Sequence, residues 1–489
     1  MESSLSQLEA LKASLADPGC THILILDDAG GPSVNTKTIY SNFLKSEIEA
    51  QAVRLFIITS LNGLSDQDKK SCTYYAEIDD PNKNAQLEIK ALEMHRKYRI
   101  DRIYTKQEDL ILRAAHLRRL FGCKVGLHPD DALVYRDKEV MKKIAMQKGG
   151  IPVPFFTRVR TPADILGFVQ QHGYPIIVKP TLGSSSAGLR VIKDQRDCQE
   201  YLINEFFGDE VNDNAGRHDH SGTMMAEVFL SKKMYHINGY AKDGKIIYVW
   251  PFQYVSTNFD FTQGNAYGNV FITKTDTRWS RLLDFSQRLC DCLPKTQDLF
   301  FHIEVFEKDT DKCFNADADF DYALCELAAR RPGGSIGLLM DQVEGGKGLF
   351  QEIEFRLSCG QGLKTPISES VINDINRKSE KDDCCGDLLV PLRKGVLLSL
   401  PPKDAQPPQP HIKYVPIASP GREYHGFDVL KMNTCCRFVA TGLKNADEAE
   451  KELNGALAWF NENVKYGPLT EKEGTEQVDS GLGSSSISK

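Results

Sequence analysis

The stretch YPIIVKPTLGSSSAGLRVI, residues 174–192, predicts a buried strand, a loop of small residues and a second strand. Lys179 ends the first strand, where its ammonium group can leave an apolar wall and enter a cleft. Small residues in the loop let backbone N–H groups approach phosphate oxygens closely, and hydroxyl groups add further donors. We therefore interpret the stretch as a phosphate-binding element, although a plain hairpin loop with a solvated lysine fits the same letters. The candidate loop residues are Gly183, Ser184, Ser185, Ser186 and Gly188.

A second cluster of candidate residues follows farther along the chain. Glu304 in FFHIEVF and Glu326 in YALCELAAR are predicted to lie on neighbouring strands. Two carboxylates on facing strands form a hard-oxygen site for Mg²⁺, or for Mn²⁺, which neutralises a polyphosphate. Alternatively, one or both are solvated glutamates at the surface of a sheet. Arg330 begins the segment RRPGG, where its guanidinium could hold a phosphoryl group or a carboxylate, or belong to an ordinary basic turn.

Composition and charge exclude several classes of protein. The 489 residues carry 60 Lys+Arg against 67 Asp+Glu, and this net charge of −7 argues against binding to nucleic acid or to a membrane surface. No apolar run approaches the roughly 20 residues of a spanning helix, and the N-terminus lacks the basic start and apolar middle of a signal peptide. The thirteen cysteines contain no CxxC pair, which is typical of reduced thiols. We therefore expect a cytoplasmic protein.

Strand and helix signals divide the first part of the chain into three segments. Residues 1–130 alternate apolar runs with amphipathic helical stretches, which predicts an α/β domain with a doubly wound parallel sheet. Residues 131–222 and 223–345 combine helices with mainly antiparallel strands. This pattern predicts two α+β subdomains, the first of which contains the loop at 183–188.

The C-terminal part gives weaker signals. Residues 346–468 match no recognisable functional pattern and contain a proline-rich loop, SLPPKDAQPPQP, at 399–410. A last strand and a last helix are predicted before residue 468. Residues 469–489 lack aromatic side chains and are rich in Ser, Gly, Glu and Lys, which predicts a disordered tail.

Taken in order, these motifs resemble the ATP-grasp superfamily, in particular its carboxylate–amine ligases, over about residues 20–340. The resemblance implies an N-terminal α/β domain and two α+β subdomains that clasp ATP. It implies that Lys138 in RDKEVMKKIA and Lys179 bind the phosphates of ATP, while residues 183–188 form a mobile flap over them. Glu304 and Glu326 would hold Mg²⁺, and Arg330 would lie near the γ-phosphate.

The segment AEVFL, residues 226–230, aligns with the hinge between the subdomains of such enzymes. In this alignment Glu227 would face the adenine amino group, and the backbone of Val228 and Leu230 would bond the edge of the ring. MYHING at 234–239, followed by DGK, is similar to the EYHVDG…DG pattern of amino-acid ligases, including carnosine synthase-like enzymes. Two positions depart from the family: Met234 replaces the glutamate that bonds the ribose, and Ala328 replaces an asparagine that serves as a third metal ligand.

The resemblance implies an ATP- and Mg²⁺-dependent ligase, with a homodimer as a family expectation. It would activate a small carboxylate, such as an amino acid, as an acyl phosphate and join it to an amine, releasing ADP and phosphate. A nucleotide-binding regulatory protein without ligase activity is the alternative that Met234 and Ala328 favour. A kinase of the same fold, or a ligase with a thiol or hydroxyl acceptor, is a third interpretation. His302 and Arg331 are candidate substrate contacts in each case.

Overall fold

The computed structural model describes residues 20–28, 38–184, 186–206, 224–333, 336–343, 349–361, 384–426 and 433–469. No helix within these ranges is long and apolar enough to cross a membrane. The tail predicted at 469–489 lies almost wholly outside the described residues.

The N-terminal part forms the predicted α/β domain. Its strands are all parallel and lie in the order β3-β2-β1-β4. Alternate residues of the first strand pack on opposite faces of the sheet, with Leu24 and Leu26 in one apolar cluster and Ile23 and Ile25 in another. The strands are β1 Thr21–Leu26, β2 Val53–Ser60, β3 Tyr74–Ile78 and β4 Arg102–Tyr104, and the helices are α1 Tyr40–Phe43, α2 Lys45–Glu49, α3 Asp66–Ser71, α4 Gln86–Tyr98, α5 Ile111–Phe121 and α6 Pro129–Arg136.

The next part is an antiparallel sheet in the order β6-β9-β7-β8, packed against two helices. It begins after a helix, α7 Lys138–Gly149, whose first turn is capped by the Asp137 side chain and whose end lies at Gly150 with φ +61°. The remaining elements are β5 Val153–Pro154, β6 Phe156–Val159, α8 Pro162–His172, β7 Ile176–Pro180, β8 Arg190–Ile192, α9 Gln195–Asn204 and β9 Met224–Val228.

The largest sheet has eight strands in the order β15-β13-β10-β11-β12-β16-β20-β18. The sequence predicts one strand over 233–255, but the left-handed residues Asp243 (φ +50°) and Gly244 (φ +82°) turn it into a hairpin. The elements are β10 Met234–Lys242, β11 Lys245–Ser256, α10 Asn258–Thr262, β12 Tyr267–Phe271, α11 Thr277–Cys292, β13 Asp298–Glu307, β14 Cys313–Phe314, β15 Tyr322–Ala328 and α12 Ile336–Val343.

The segment after residue 345, which the sequence left without a role, completes two of these units. The helix α13 Leu349–Ser358 packs through Phe355 on the N-terminal sheet. Three later strands continue the eight-stranded sheet beyond β12, so the sheet extends across the predicted division at 345. The elements are β16 Cys384–Pro391, β17 Lys394–Ser399, β18 Ile412–Pro416, β19 Glu423–His425, β20 Thr434–Leu443, α14 Ala446–Asn463 and β21 Lys465–Gly467.

Candidate active site

A cavity of about 380 Å³ lies between the sheet that contains β7 and β9 and the end of the large sheet that contains β13 and β15. It brings together most of the side chains that the sequence marked as candidates. Gly188 and Arg330 do not line it, and Ser185 lies outside the described residues. The candidates that line the cavity are Lys138, Lys179, Gly183, Ser184, Ser186, Glu227, Val228, Leu230, Glu304 and Glu326.

Local sequence makes Lys138 the first residue of its helix. The Asp137 carboxylate accepts from the N–H groups of Glu139 and Val140, which starts the helix at Lys138 and points its side chain into the cavity. The Lys138 ammonium donates to the carbonyl of Gly183 and lies 2.9 Å from a Glu326 oxygen. One lysine therefore contacts both the small-residue loop and a predicted metal ligand.

Lys179 belongs to a buried group of three charges. Its Nζ lies 2.6 Å from Glu227 Oε2, and Lys142 Nζ lies 3.0 Å from Glu227 Oε1. Burial alone would lower the pKa of Lys179, but the Glu227 carboxylate outweighs it, so this pKa is raised. Burial would raise the pKa of Glu227, but Lys142 and Lys179 outweigh burial, so this pKa is lowered and the carboxylate is ionised. The sequence assigned Glu227 to adenine, and the structure shows that two lysines hold its carboxylate.

Glu304 and Glu326 occupy opposed positions on β13 and β15, as the sequence predicted. Glu304 accepts a hydrogen bond of 2.5 Å from the Tyr254 hydroxyl, and its Oε1 lies 3.4 Å from His302 Nε2. Among the described residues no group of three or more His, Cys, Asp or Glu could hold a metal by itself. The pair nevertheless fits Mg²⁺, which is commonly held by one or two carboxylates and takes its other ligands from phosphates and water.

Arg330 lies next to the cavity in a cluster that the sequence did not reveal. Its guanidinium contacts Glu108, and Glu108 also pairs with Arg136. Arg136 in turn donates to the carbonyl of Leu182, beside the small-residue loop. Burial would raise the pKa of Glu108, but Arg330 and Arg136 lower it to about 2. The cluster thus connects the N-terminal domain, the end of β15 and the predicted flap.

The sequence places the nucleotide base beside the hinge strand β9, and apolar side chains line this cavity. The hinge strand β9 leads into it, and the side chains of Leu189, Met234 and Phe306 form part of its wall. The N–H of Val228 donates to the Phe155 carbonyl at 3.0 Å, so the carbonyl is the backbone group of Val228 that a base could use. Met234 contributes an apolar surface where the family has an acid, and the polar groups nearby in the wall are Ser231, Lys232 and Asp260.

Neither of the two candidate substrate contacts, His302 and Arg331, lines the cavity. His302 Nδ1 is 2.7 Å from Asn238 Oδ1, so the ring is fixed on the face of the large sheet. Arg331 Nε lies 3.5 Å from Glu354 Oε2 on α13. Sequence reasoning missed Lys142, Glu108, Arg136 and Glu354. For Lys142 a signal exists, because it follows Lys138 by four residues and shares its helix face.

Comparison with known proteins supports the fold and the class. No family model matches the sequence. The L-arginine-specific L-amino acid ligase of Bacillus subtilis is 25% identical over 399 residues, which cover 81% of this chain and 86% of that protein. The structure of an L-amino acid ligase from Bacillus licheniformis has a TM-score of 0.59 at 12% identity, over 91% of this chain and 99% of the other. N5-carboxyaminoimidazole ribonucleotide synthetase from Thermotoga maritima has a TM-score of 0.52 at 14% identity, over 92% and 99%.

These likenesses confirm the predicted fold, including its N-terminal α/β domain. The matches extend over nine tenths of this chain, well beyond the residues 20–340 that carried the sequence resemblance. The positions of the candidate residues come from the cavity itself, since structural likeness at this identity speaks for the fold alone. The chain has the ATP-grasp fold, and it is similar to the carboxylate–amine ligases of that superfamily.

Proposed function

We propose that this chain is an ATP- and Mg²⁺-dependent ligase that joins a small carboxylate, an amino acid or a related acid, to an amine. The observation that carries the proposal is the convergence of Lys138, Lys179 and the opposed pair Glu304 and Glu326 in one cavity. Two cations and two acids at one end of a partly apolar cavity match the requirements of Mg·ATP. The Bacillus subtilis relative, named as a ligase of L-amino acids, supports an amino acid as one substrate.

The balance of charge in the cavity supports the same assignment. Lys138 pairs with Glu326, and Lys179 pairs with Glu227. Phosphate oxygens can replace the carboxylates around the lysines while a divalent cation takes up Glu304 and Glu326. Glu227 keeps Lys142 as a partner, so that no buried charge is left alone. Mg²⁺, or Mn²⁺ in its place, would neutralise the phosphates of ATP, which supplies the phosphoryl group that activates the acid.

The reaction then follows from ordinary carboxylate chemistry. A carboxylate oxygen displaces ADP at the γ-phosphorus, and the amine nitrogen attacks the activated carbonyl carbon, expels phosphate and loses a proton. Arg330, which pairs with Glu108 beside the cavity, would bind the negative charge of the acid or of the phosphoryl group. The loop with Gly183, Ser186 (φ +57°) and Gly188 (φ +69°) would close over the phosphates and keep water from the activated acid.

The experiment that tests the proposal measures ADP and phosphate release from Mg·ATP by the whole chain. Pools of L-amino acids, other small acids and amines are added, with L-arginine among the first because of the relative's name. We expect release that depends on one acid–amine pair. A phosphorylated product in place of free phosphate would favour the kinase interpretation. Binding of ATP without release in any pool would favour a regulatory protein. Light scattering of the same sample tests the homodimer that the resemblance implies.

A further inference from the structure

A line of buried polar side chains crosses one face of the large sheet, from Glu304 on β13 to Arg437 on β20. Each member before Arg437 is at most 6% exposed. The line runs between two apolar clusters, one around Trp250 and Phe271 and one around Met234 and Tyr267. Polar groups in such surroundings cost free energy unless they are fully bonded, so a continuous line of them needs a reason. Between Glu304 and Arg437 the line contains His302, Asn238, His236, Asn269 and Asp387.

Each member contacts the next at hydrogen-bond distance. His302 Nδ1 lies 2.7 Å from Asn238 Oδ1, and Asn238 Nδ2 lies 3.1 Å from His236 Nδ1. His236 Nε2 lies 3.1 Å from Asn269 Oδ1, and Asn269 Nδ2 lies 3.2 Å from Asp387 Oδ1. Arg437 closes the line, with its Nε 3.0 Å and its terminal nitrogen 2.9 Å from Asp387 Oδ2. We call this set the polar relay.

The carboxylate of Asp387 determines which atom is the donor in each hydrogen bond of the polar relay. Asp387, ionised beside Arg437, can only accept, so Asn269 must turn its NH₂ towards it and its carbonyl towards His236. His236 must then carry its proton on Nε2. Burial lowers the pKa of His236 to about 3, so the ring is neutral and its Nδ1 is an acceptor.

The same argument extends to His302, which lies beside the predicted metal ligand Glu304. Since His236 Nδ1 accepts, Asn238 must give it the NH₂ and present its carbonyl to His302. His302 Nδ1 therefore carries a proton. In the neutral ring Nε2, which faces Glu304 Oε1 at 3.4 Å, is then an acceptor and gives that oxygen no hydrogen bond. The Tyr254 hydroxyl donates to that same oxygen. Whether His302 donates a hydrogen bond to the Glu304 carboxylate thus depends on a proton position that is set four side chains away.

We propose that Asp387, neutralised by Arg437, is a positioning residue for Glu304 and acts through the polar relay by fixing which nitrogen of His302 carries the proton beside that carboxylate. The proposal rests on the proposed function, because it takes Glu304 to be a ligand of the divalent cation. It gives the C-terminal strands β16 and β20 a part in the active site. Groups that orient a metal ligand in this way typically change metal affinity by about 10–100-fold when they are removed.

The first test measures the histidine tautomers of the polar relay in the absence of nucleotide and metal. Protein labelled with ¹⁵N-histidine gives the tautomer of each ring by NMR, and His236→Gln and His302→Gln spectra assign the two signals. We expect a single Nε2–H tautomer for His236 in the wild type. In the double variant D387N/R437Q an amide replaces the obligatory acceptor, so a mixture with the Nδ1–H tautomer is expected. Asn269→Leu cuts the relay but leaves the ion pair intact, and it should shift His236 towards Nδ1–H.

The second test measures Mn²⁺ affinity by EPR in the presence of a non-hydrolysable ATP analogue. We expect affinity about 10–100-fold weaker in both variants than in the wild type. The control is Gln253→Met, because Gln253 is equally buried on the other face of the same sheet and bonds Glu450 and Arg278. This control should leave both the tautomers and the Mn²⁺ affinity unchanged.

The outcomes separate the two proposals. A wild-type His236 that mixes tautomers, or that is unaffected in both variants, overturns the relay. Tautomers that shift while Mn²⁺ affinity stays constant overturn its link to Glu304. Failure of the wild type to bind Mn²⁺ with the nucleotide analogue would instead contradict the proposed function, while the NMR result would still decide the direction of the relay.

Discussion

Lys142 shows how the site depends on a side chain that no motif contains. It is fully buried and donates to the carbonyl of Leu324 at 2.8 Å while it pairs with Glu227. Without Lys142, the buried Glu227 carboxylate would lose one of the two lysines that pair with it. Lys142 therefore supports the charge of Lys179 indirectly and joins α7 to β15.

Replacing Lys142 with Met is expected to destabilise the protein by about 3 kcal/mol, because the buried Glu227 carboxylate loses an ion-pair partner and the Leu324 carbonyl loses its donor. Urea unfolding measures the change. The matched control is Lys143→Met on the same helix, since Lys143 is 53% exposed and its partner Glu139 also pairs with Arg158. That control should stay within about 0.5 kcal/mol of the wild type. Equal effects of the two variants would contradict the structural role of Lys142.

Replacing Glu326 with Gln tests the metal assignment. The side chain is 22% exposed and pairs with Lys138, so the fold should survive its neutralisation. Turnover should fall by about 10²–10³, by analogy with the loss of one charge-stabilising group in other enzymes. Product formation and circular dichroism are measured together. A folded variant that keeps full turnover would show that Glu326 is not a ligand.

Whether a residue of the site could be predicted from the sequence depends on how far along the chain its partners lie. Lys138, Lys179, Glu304 and Glu326 stand in short patterns of strand ends and helix starts, which a sequence displays. Glu108 and Arg330 are 222 positions apart, and Lys142 lies 182 positions from Leu324. No local pattern predicts contacts of that kind. The sequence therefore predicted the groups that face the cavity, and it missed the charges that hold them.

At the scale of elements, the helix Leu349–Ser358 places the buried side chain of Glu354 near Arg331, which follows β15. Glu354 is 4% exposed and faces Arg331, with Lys106 and Arg330 also near it. Burial raises the pKa of Glu354 to about 7, despite the positive charges. The folded protein therefore keeps a proton on this side chain at pH values where the unfolded chain has lost it.

This shift predicts a pH dependence of stability. Because the pKa in the folded state is raised, the contribution of Glu354 is fully present below the unfolded value of about 4.3 and is lost as pH rises through about 7. The loss should amount to about 3 kcal/mol. Glu354→Gln mimics the protonated form, so the variant should match the wild type at pH 4 and be the more stable protein at pH 8. Urea unfolding at both pH values measures this, and equal curves at pH 8 would contradict it.

The central strands of the large sheet predict a second effect at this scale. A Cβ at Gly239 would meet the Phe301 ring and the Tyr248 carbonyl oxygen, the latter at 2.6 Å. Gly239→Ala should therefore destabilise the protein by at least about 1–3 kcal/mol. Gly167 in the helix Pro162–His172 has nothing within 4 Å of a built Cβ, so Gly167→Ala should instead stabilise by about 0.5–1 kcal/mol. Thermal unfolding of both variants gives the sign of each change.

At the scale of the whole molecule, the sequence predicted the fold but not how its last part is used. The alternation of apolar runs and helices identified the N-terminal sheet, and the motifs identified the two ATP-grasp subdomains. The strands Cys384–Pro391 and Thr434–Leu443 carry no motif. The first is placed in the large sheet by pairing with Tyr267–Phe271, over a hundred positions earlier, and the second by pairing with the first. Such pairing follows from packing rather than from local pattern, so it became visible only in the structure.

The measurement that tests the central claim most directly follows one oxygen atom. The acid–amine pair that supports ADP release is supplied with ¹⁸O in the carboxylate of the acid, together with Mg·ATP and the wild-type chain. Activation of the carboxylate by phosphoryl transfer predicts one ¹⁸O in each phosphate released, and an amide that has lost one label. Phosphate without label, or label retained in a phosphorylated product, would contradict the ligase assignment.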